Sequence, residues 1–194
     1  MKFELIKPVK SKTEIDRNYQ AVFKVIQGYP QPGKITIIKQ KDWVFVPVES
    51  AGHFTTEEME GLADVVSNRK YEEIIAVSFE RLKDFPSGLK FSADFEEIFE
   101  FDFRCGSFWF VLYSGKPDWI FLCSPEDFFI VGAERQFIEE FLGLTVEQAF
   151  NAFIEFIESR PKDEEQFNRY LRSIYNLLLY QYPKLKNGEK LVIP

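Results

Sequence analysis

Carboxylates are the most abundant reactive side chains of this sequence, and many of them surround one aromatic stretch, residues 94–132. Paired carboxylates can hold Mg²⁺ or act as general acid and general base. If Glu100 and Asp102 lie on one strand, they share a face that a turn carboxylate could approach. The alternation of residues 100–103 (EFDF) is equally typical of a half-buried strand with its polar side chains in solvent. The candidate acids before the strands are Asp94, Glu96, Glu97, Glu100 and Asp102, and those at the turns are Asp118, Glu126 and Asp127.

The single histidine, His53, restricts other chemistry. Zinc sites with several histidines are excluded, and a Ser-His-Asp or Cys-His arrangement would have to use His53, in a loop before a helix. The nucleophile-elbow, P-loop and dinucleotide-binding motifs do not occur. Cys105 follows Arg104, and a neighbouring cation can activate a thiol. No histidine lies near Cys105 in sequence, so a nucleophilic role for this thiol is not expected. Because the motifs above are absent and the chain has one histidine, we expect no catalytic residue, no metal and no cofactor.

Charge is unevenly distributed along the 194 residues, whose net charge is −7. Residues 51–165 contain ten Lys and Arg against twenty-five Asp and Glu, whereas residues 1–50 contain nine against five and residues 166–194 five against one. Nonspecific nucleic-acid binding requires clustered positive charge, so no nucleic-acid partner is expected. The acidic block is either ordinary solvated surface or a surface that attracts a basic partner.

The chain length predicts one domain, residues 1–194, with a core of its own. No apolar run reaches the roughly 18 residues of a membrane span, and the N-terminus does not resemble a signal peptide, so we expect a cytoplasmic protein without a membrane partner. Cys105 and Cys123 are expected to be free thiols. Strand spacing places them roughly 13 Å apart if Cys105 extends the strand before Trp109.

Capping signals and apolar periodicity predict the helices. Thr55 with Glu58 and Thr145 with Gln148 form capping boxes, and the helix over 133–142 ends at Gly143. The helices that start at Thr145 and after Asp163 are expected to form an αα-hairpin. The other predicted helical segments are a helix from Thr13 and one or two turns over residues 94–99.

Apolar runs predict the strands. Residues 35–38 and 43–48 indicate an N-terminal hairpin, in which Pro47 marks an edge. Residues 72–82 favour a strand but also fit a short helix, residues 83–92 indicate a loop, and the C-terminal tail could add an edge strand. Residues 108–113, 119–123 and 128–131 predict a β-meander.

The turn at residues 114–118 places Tyr113 near Trp119 and Trp109 near Cys123. This register gives the meander one hydrocarbon face and one face that contains Trp and Tyr. Because Trp and Tyr favour sites where one end of the ring stays wet, the second face could be a core or an interface. The hydrocarbon face contains Phe108, Phe110, Leu112, Ile120 and Leu122, and the other face Trp109, Val111, Tyr113, Trp119, Phe121 and Cys123.

Together the patterns predict an α+β single domain. A mostly antiparallel, aromatic-rich sheet, made of the N-terminal hairpin and the central meander, is covered by about five helices and ends in the αα-hairpin.

Three functions follow from these patterns. The first is a non-enzymatic protein-interaction protein, such as an inhibitor or immunity-type module that masks a basic partner. The second is a small-ligand binder with an aromatic pocket. The third is a carboxylate-based, metal-dependent hydrolase. The candidate binding residues are Trp109, Tyr113, Trp119, Glu100, Asp102, Asp118, Glu126 and Asp127.

Overall fold

The structure is a computed structural model that describes residues 3–28, 35–80 and 85–193. Within these ranges it contains six α-helices, in agreement with the about five expected, and the turns predicted over residues 94–99 belong to a longer helix. A short 3₁₀ turn precedes the last helix, and a π-helical and a 3₁₀ turn follow it. The helices are α1 (Lys12–Val22), α2 (Thr56–Asn68), α3 (Phe95–Cys105), α4 (Arg135–Leu142), α5 (Val146–Ser159) and α6 (Glu165–Asn176).

The described strands form two sheets, and the strand pairs within them are antiparallel. The larger sheet has seven strands in the order β1-β6-β5-β7-β8-β9-β4, and the smaller has the order β10-β3-β2. The strands are β1 (Lys7–Pro8), β2 (Ile26–Gln27), β3 (Ile35–Ile38), β4 (Trp43–Glu49), β5 (Ile74–Ser78), β6 (Gly88–Phe91), β7 (Phe110–Tyr113), β8 (Trp119–Cys123), β9 (Phe128–Glu134) and β10 (Lys190–Ile193).

The α+β class, the meander and the terminal helical hairpin are confirmed. β7, β8 and β9 pair in sequence order at the centre of the large sheet, and α5 packs against α6. The ambiguous segment is strand β5, and the C-terminal tail adds β10 at the edge of the small sheet. The expected loop over 83–92 was wrong for Gly88–Phe91, which is β6, while residues 81–84 lie outside the described residues.

The predicted N-terminal hairpin was wrong, although both of its strands exist. β3 pairs with β2 and β10, whereas β4 pairs with β9 over seven residues, from Trp43 opposite Glu134 to Glu49 opposite Phe128. A short connection between two strands cannot reveal that each strand has a better partner far away in sequence. β4 is an edge strand, as Pro47 indicated.

The meander register differs by one residue from the predicted one. Phe110 lies opposite Cys123 and Leu112 opposite Phe121. The sequence does not distinguish the two registers, because β7 and β8 are apolar on both faces and show no polar-apolar alternation. A slip of one residue exchanges the faces of a whole strand. The division into a hydrocarbon face and a Trp/Tyr face was therefore wrong.

Helices cover both faces of the large sheet. On one face, the Trp119 ring stacks on Phe137 of α4 with centroids 5.5 Å apart, and Phe121 meets Phe141 edge-on at 4.7 Å. On the other face, Phe128 contacts Phe153 of α5 at 6.3 Å. Aromatic pairs with these geometries stabilise beyond the area they bury. The meander is the centre of a three-layer core.

Candidate functional site

The three aromatic residues predicted as binding anchors are mostly in the core. Trp119 is fully buried, and Tyr113 is 1% exposed, with its pKa raised to about 12 by burial. Trp109 is half-buried just before β7, where its carbonyl oxygen accepts the Phe79 backbone N–H at 3.1 Å. The aromatic meander therefore offers neither an open Trp/Tyr interface nor a pocket lined by these three rings.

Glu100 is a helix residue, not a strand residue as the sequence suggested. It lies on α3, where its carboxylate accepts backbone N–H groups of Glu4, Leu5 and Ile6 at 2.7, 2.7 and 3.0 Å. Burial alone would raise its pKa, but these three donors outweigh burial and lower it. Glu100 thus attaches the N-terminal segment to α3, which is a structural task that occupies both carboxylate oxygens.

Asp102 is likewise on α3 and is 6% exposed. Its Oδ1 accepts the Phe54 backbone N–H at 2.9 Å, and its Oδ2 lies 3.0 Å from Nδ1 of His53. Burial raises the Asp102 pKa, although Phe54 and His53 partly oppose that effect. The His53 ring packs so closely on α3 that a Cβ on Gly106 would lie 2.5 Å from Nδ1. A His–carboxylate pair of this kind can be part of a catalytic triad or can simply hold a loop.

The space beside this pair is too small for a substrate. Cys105 and Cys123 line the same cavity as His53 and Asp102, and its volume is about 20 Å³, enough for one water-sized sphere. Both thiols are free, as predicted, but Cys105 lies in helix α3 and not on a strand, so the predicted spacing does not apply. Burial raises the pKa of both thiols, which keeps them protonated and poorly nucleophilic.

The turn carboxylates lie at opposite ends of the meander. Asp118 is exposed before β8 and, together with burial, raises the pKa of Tyr71. Asp127 lies after β8 and accepts a hydrogen bond from Nη1 of Arg160 at 2.6 Å. Glu126, its neighbour, is half-buried, and burial and Asp127 raise its pKa. β8 separates the two turns by about 13 Å at 3.3 Å per residue.

The predicted carboxylates therefore do not converge. Glu100 and Asp102 are occupied by different backbone segments, and Asp127 is paired with Arg160. In the described ranges, no group of three or more His, Cys, Asp and Glu side chains is placed to hold a metal ion.

The outer side of α3 carries the feature that the sequence reasoning missed. Asp94 caps the helix by accepting the Glu96 N–H at 3.0 Å, and Ile98, Phe101 and Cys105 point inward at helical spacing. Phe99 and Phe103, four residues apart, remain outside and are 47% and 66% exposed. Their rings stack with centroids 6.2 Å apart and planes inclined by 12°. A helical rather than a strand interpretation of residues 94–103 would have shown them on one exposed stripe.

Leu5 is a third exposed apolar side chain close to α3. It is 48% exposed, and the bonds from residues 4–6 to Glu100 place it beside α3. We call Leu5, Phe99 and Phe103 the α3 aromatic patch. Exposed acids accompany the patch: Glu4 is next to Leu5, Asp94 is the N-cap of α3, and Glu96 lies in its first turn. One cation is present as well, since the Arg104 guanidinium lies 5.6 Å from the Phe103 ring centroid.

A second concave region lies at the end of β4, beside the N-terminus of α2. This β4–α5 groove has a volume of about 460 Å³ and includes Glu49, Glu58 and the exposed Leu144. Burial raises the pKa of Glu58 to about 7; Asp102 and Glu49 add to that rise, while hydrogen bonds from Thr55 oppose it. The sequence identified Glu58 only as a capping residue, because nothing local indicates that α5 packs opposite it.

The comparisons with known proteins assign no function. No model of a protein family matches the chain, and neither a characterised protein nor a solved structure is significantly similar to it. None of the helices in the described part of the chain has both the length and the apolar character needed to span a bilayer.

Proposed function

We propose that this protein is a non-enzymatic interaction module of the inhibitor or immunity type, and that its α3 aromatic patch binds and masks a basic partner protein. The observation that carries the proposal is the stacked, exposed pair of Phe99 and Phe103. Exposed rings that are already ordered lose little conformational entropy on binding, and aromatic side chains are enriched at interfaces.

The rigidity of the surrounding structure supports a docking role. α3 is fixed underneath by Phe101, which stacks on Phe91 at 5.2 Å and meets Phe110 edge-on at 5.4 Å. Glu100 fixes the segment that carries Leu5. Both parts of the patch are therefore held in place before a partner arrives, which is the condition under which apolar anchors contribute most to affinity.

Charge supports the choice of a basic partner. Residues 51–165 carry twenty-five acidic against ten basic side chains, and Glu4, Asp94 and Glu96 are exposed close to the patch in sequence. A field of one sign steers an oppositely charged partner, and an apolar centre with a charged rim is the usual anatomy of an interface. Arg104 beside Phe103 adds one positive charge, which stands against the three exposed carboxylates.

The alternative functions receive less support from the residue positions. The aromatic-pocket hypothesis relied on Trp109, Tyr113 and Trp119, two of which are core residues. The hydrolase hypothesis relied on carboxylates that are separated or already paired.

Affinity capture from the native host, followed by quantitative mass spectrometry, tests the proposal. The baits are the wild type, the double variant Phe99→Ala/Phe103→Ala and the control Tyr180→Ala, which removes an aromatic ring that is 55% exposed elsewhere. We expect a basic protein that is captured by the wild type and the control, lost with the double variant and released by salt.

Removal of charge provides a second, independent readout. The variant Glu4→Gln/Glu96→Gln changes two exposed side chains and should slow association and weaken its salt dependence. Capture of an acidic protein, or of the same proteins in the same amounts by the Phe99→Ala/Phe103→Ala bait, would remove the basis of the proposal.

A further inference from the structure

The β4–α5 groove is a formed cavity with mostly apolar walls. Val48 of β4 faces Leu142 at the end of α4, Leu144 beyond it and Phe153 of α5. Its volume of about 460 Å³ lies within the range of small-molecule sites, roughly 300–1,000 Å³. A ligand with an apolar body could therefore exclude water from these walls.

Two carboxylates supply the polar side of the groove. Glu49 ends β4, and Glu58 lies in the first turn of α2. No Lys or Arg is among the residues that line the groove. The groove is complementary in charge to a cation, which could approach both carboxylates without meeting a like charge.

The position of Glu58 is fixed before any ligand binds. Its Oε2 accepts the Thr55 backbone N–H at 2.7 Å, while its own N–H donates to Oγ1 of Thr55 at 3.2 Å. This capping box engages one carboxylate oxygen of Glu58 in a hydrogen bond and leaves the other oxygen able to contact a ligand. A carboxylate held in one place loses little side-chain entropy when it binds a cation.

We propose that the β4–α5 groove binds a small organic amine, whose apolar body packs on Val48, Leu144 and Phe153 while its ammonium group contacts Glu58 and Glu49. This site is separate from the α3 aromatic patch and does not depend on the proposed partner. A small molecule fits the concave shape, whereas a protein partner would engage the exposed face of α3.

The protonation of Glu58 provides a diagnostic feature. Its pKa is raised to about 7 by burial and by the facing carboxylates Asp102 and Glu49, against the opposing hydrogen bonds from Thr55. A bound ammonium favours the charged carboxylate, so binding must release a proton when the pH is below that value. We expect affinity to increase about tenfold between pH 6 and pH 8, because the ionised fraction of Glu58 rises from about one eleventh to about ten elevenths.

Calorimetric titration with three matched pairs tests the site: butylamine and butanol, phenethylamine and phenethyl alcohol, tryptamine and tryptophol. We expect at least one amine to bind at least tenfold more tightly than its alcohol. Glu58→Gln should abolish that preference and keep the helix cap, because Gln also completes a capping box. Ala152→Trp should fill the groove and abolish binding of both members of a pair.

Two controls make the outcomes decisive. Glu60→Gln removes an exposed carboxylate of α2 that does not line the groove, and it should bind like the wild type. Phe99→Ala/Phe103→Ala should also bind amines normally, which separates this site from the interaction surface. Equal affinity for amines and alcohols, unchanged amine binding by Glu58→Gln, or no binding by any of the three amines would each overturn the proposal.

Discussion

Replacement of Glu58 by Gln should stabilise the protein at alkaline pH and leave its stability nearly unchanged at acidic pH. Burial raises the pKa of Glu58 from 4.5 to about 7. The folded state therefore holds this proton more tightly than the unfolded state does. The stabilising effect of this bound proton is complete below the pKa of Glu58 in the unfolded state, and it is lost as the pH rises through the pKa of Glu58 in the folded state. Gln keeps the cap and remains neutral at every pH.

The size of this change in unfolding free energy follows from the change in the pKa of Glu58 on folding. A rise from 4.5 to about 7, at 1.36 kcal/mol per unit, gives an upper bound of about 3.4 kcal/mol. Glu58 keeps part of its surface in solvent, which screens the charge, so we expect roughly 2 kcal/mol. The difference between variant and wild type should be near zero at pH 4 and reach that value at pH 8.

Urea unfolding curves at several pH values, followed by the fluorescence of the three tryptophans, measure this difference. Glu60→Gln is the matched control, because Glu60 is exposed on the same helix. Equal unfolding free energies of the Glu58→Gln variant and the wild type at pH 8 would refute the reasoning, as would a difference that does not change with pH. A carboxylate that destabilises the folded protein is consistent with a binding task for Glu58.

Other predictions concern the anchors of the fold. Glu100→Ala removes the two carboxylate oxygens that accept three charge-assisted hydrogen bonds, so the amides of residues 4–6 should lose protection from hydrogen exchange and the unfolding free energy should fall by about 3 kcal/mol; unchanged protection would contradict this. Cys105 is 1% exposed and its thiol pKa is raised, so it should resist alkylation in the native protein and react after unfolding; rapid native alkylation at neutral pH would count against the buried position. A Cβ at Gly132 would lie 2.4 Å from the Phe45 ring, so Gly132→Ala should lower the unfolding free energy by about 2 kcal/mol. Calorimetry should show that Phe45→Leu recovers part of that loss in the double variant; full additivity of the two changes would exclude the clash.

Local signals in the sequence identified the elements well. The capping boxes at Thr55 and Thr145 are both present with both hydrogen bonds, and Gly143 ends α4 with a φ of 63°. These interactions involve residues three or four apart, so the sequence itself contains them. The three meander strands and their pairing order follow in the same way from short connections.

The sequence did not reveal the strand register or the pairing of strands that are far apart along the chain. The one-residue register of β7 and β8 is one example, because both strands are apolar on both faces and either register buries apolar side chains. The pairing of β4 with β9 rather than β3 joins segments about ninety residues apart. Such pairings are decided by the packing of the whole sheet, and apolar alternation is the same for either partner.

The residues of the candidate site were also difficult to place from the sequence. Glu100-Phe101-Asp102-Phe103 alternates like a strand, but the Asp94 cap and the inward spacing of Ile98 and Phe101 make it helical. That change moves Phe103 from the expected core to the surface and gives both acids structural partners. Period two and period 3.6 are hard to separate over four residues, and here the difference decides which side chains a partner could reach.

The affinity of a captured partner for the wild type and for Phe99→Ala/Phe103→Ala, measured by titration at low and high salt, is the most direct test of the proposed interaction. The double variant should remain folded with only a small loss of stability, since the two rings are 47% and 66% exposed. We expect affinity at least tenfold weaker for the double variant, unchanged affinity for Tyr180→Ala, and weaker binding of the wild type as salt increases. Equal affinity of the wild type and the double variant for a folded, basic partner would contradict it.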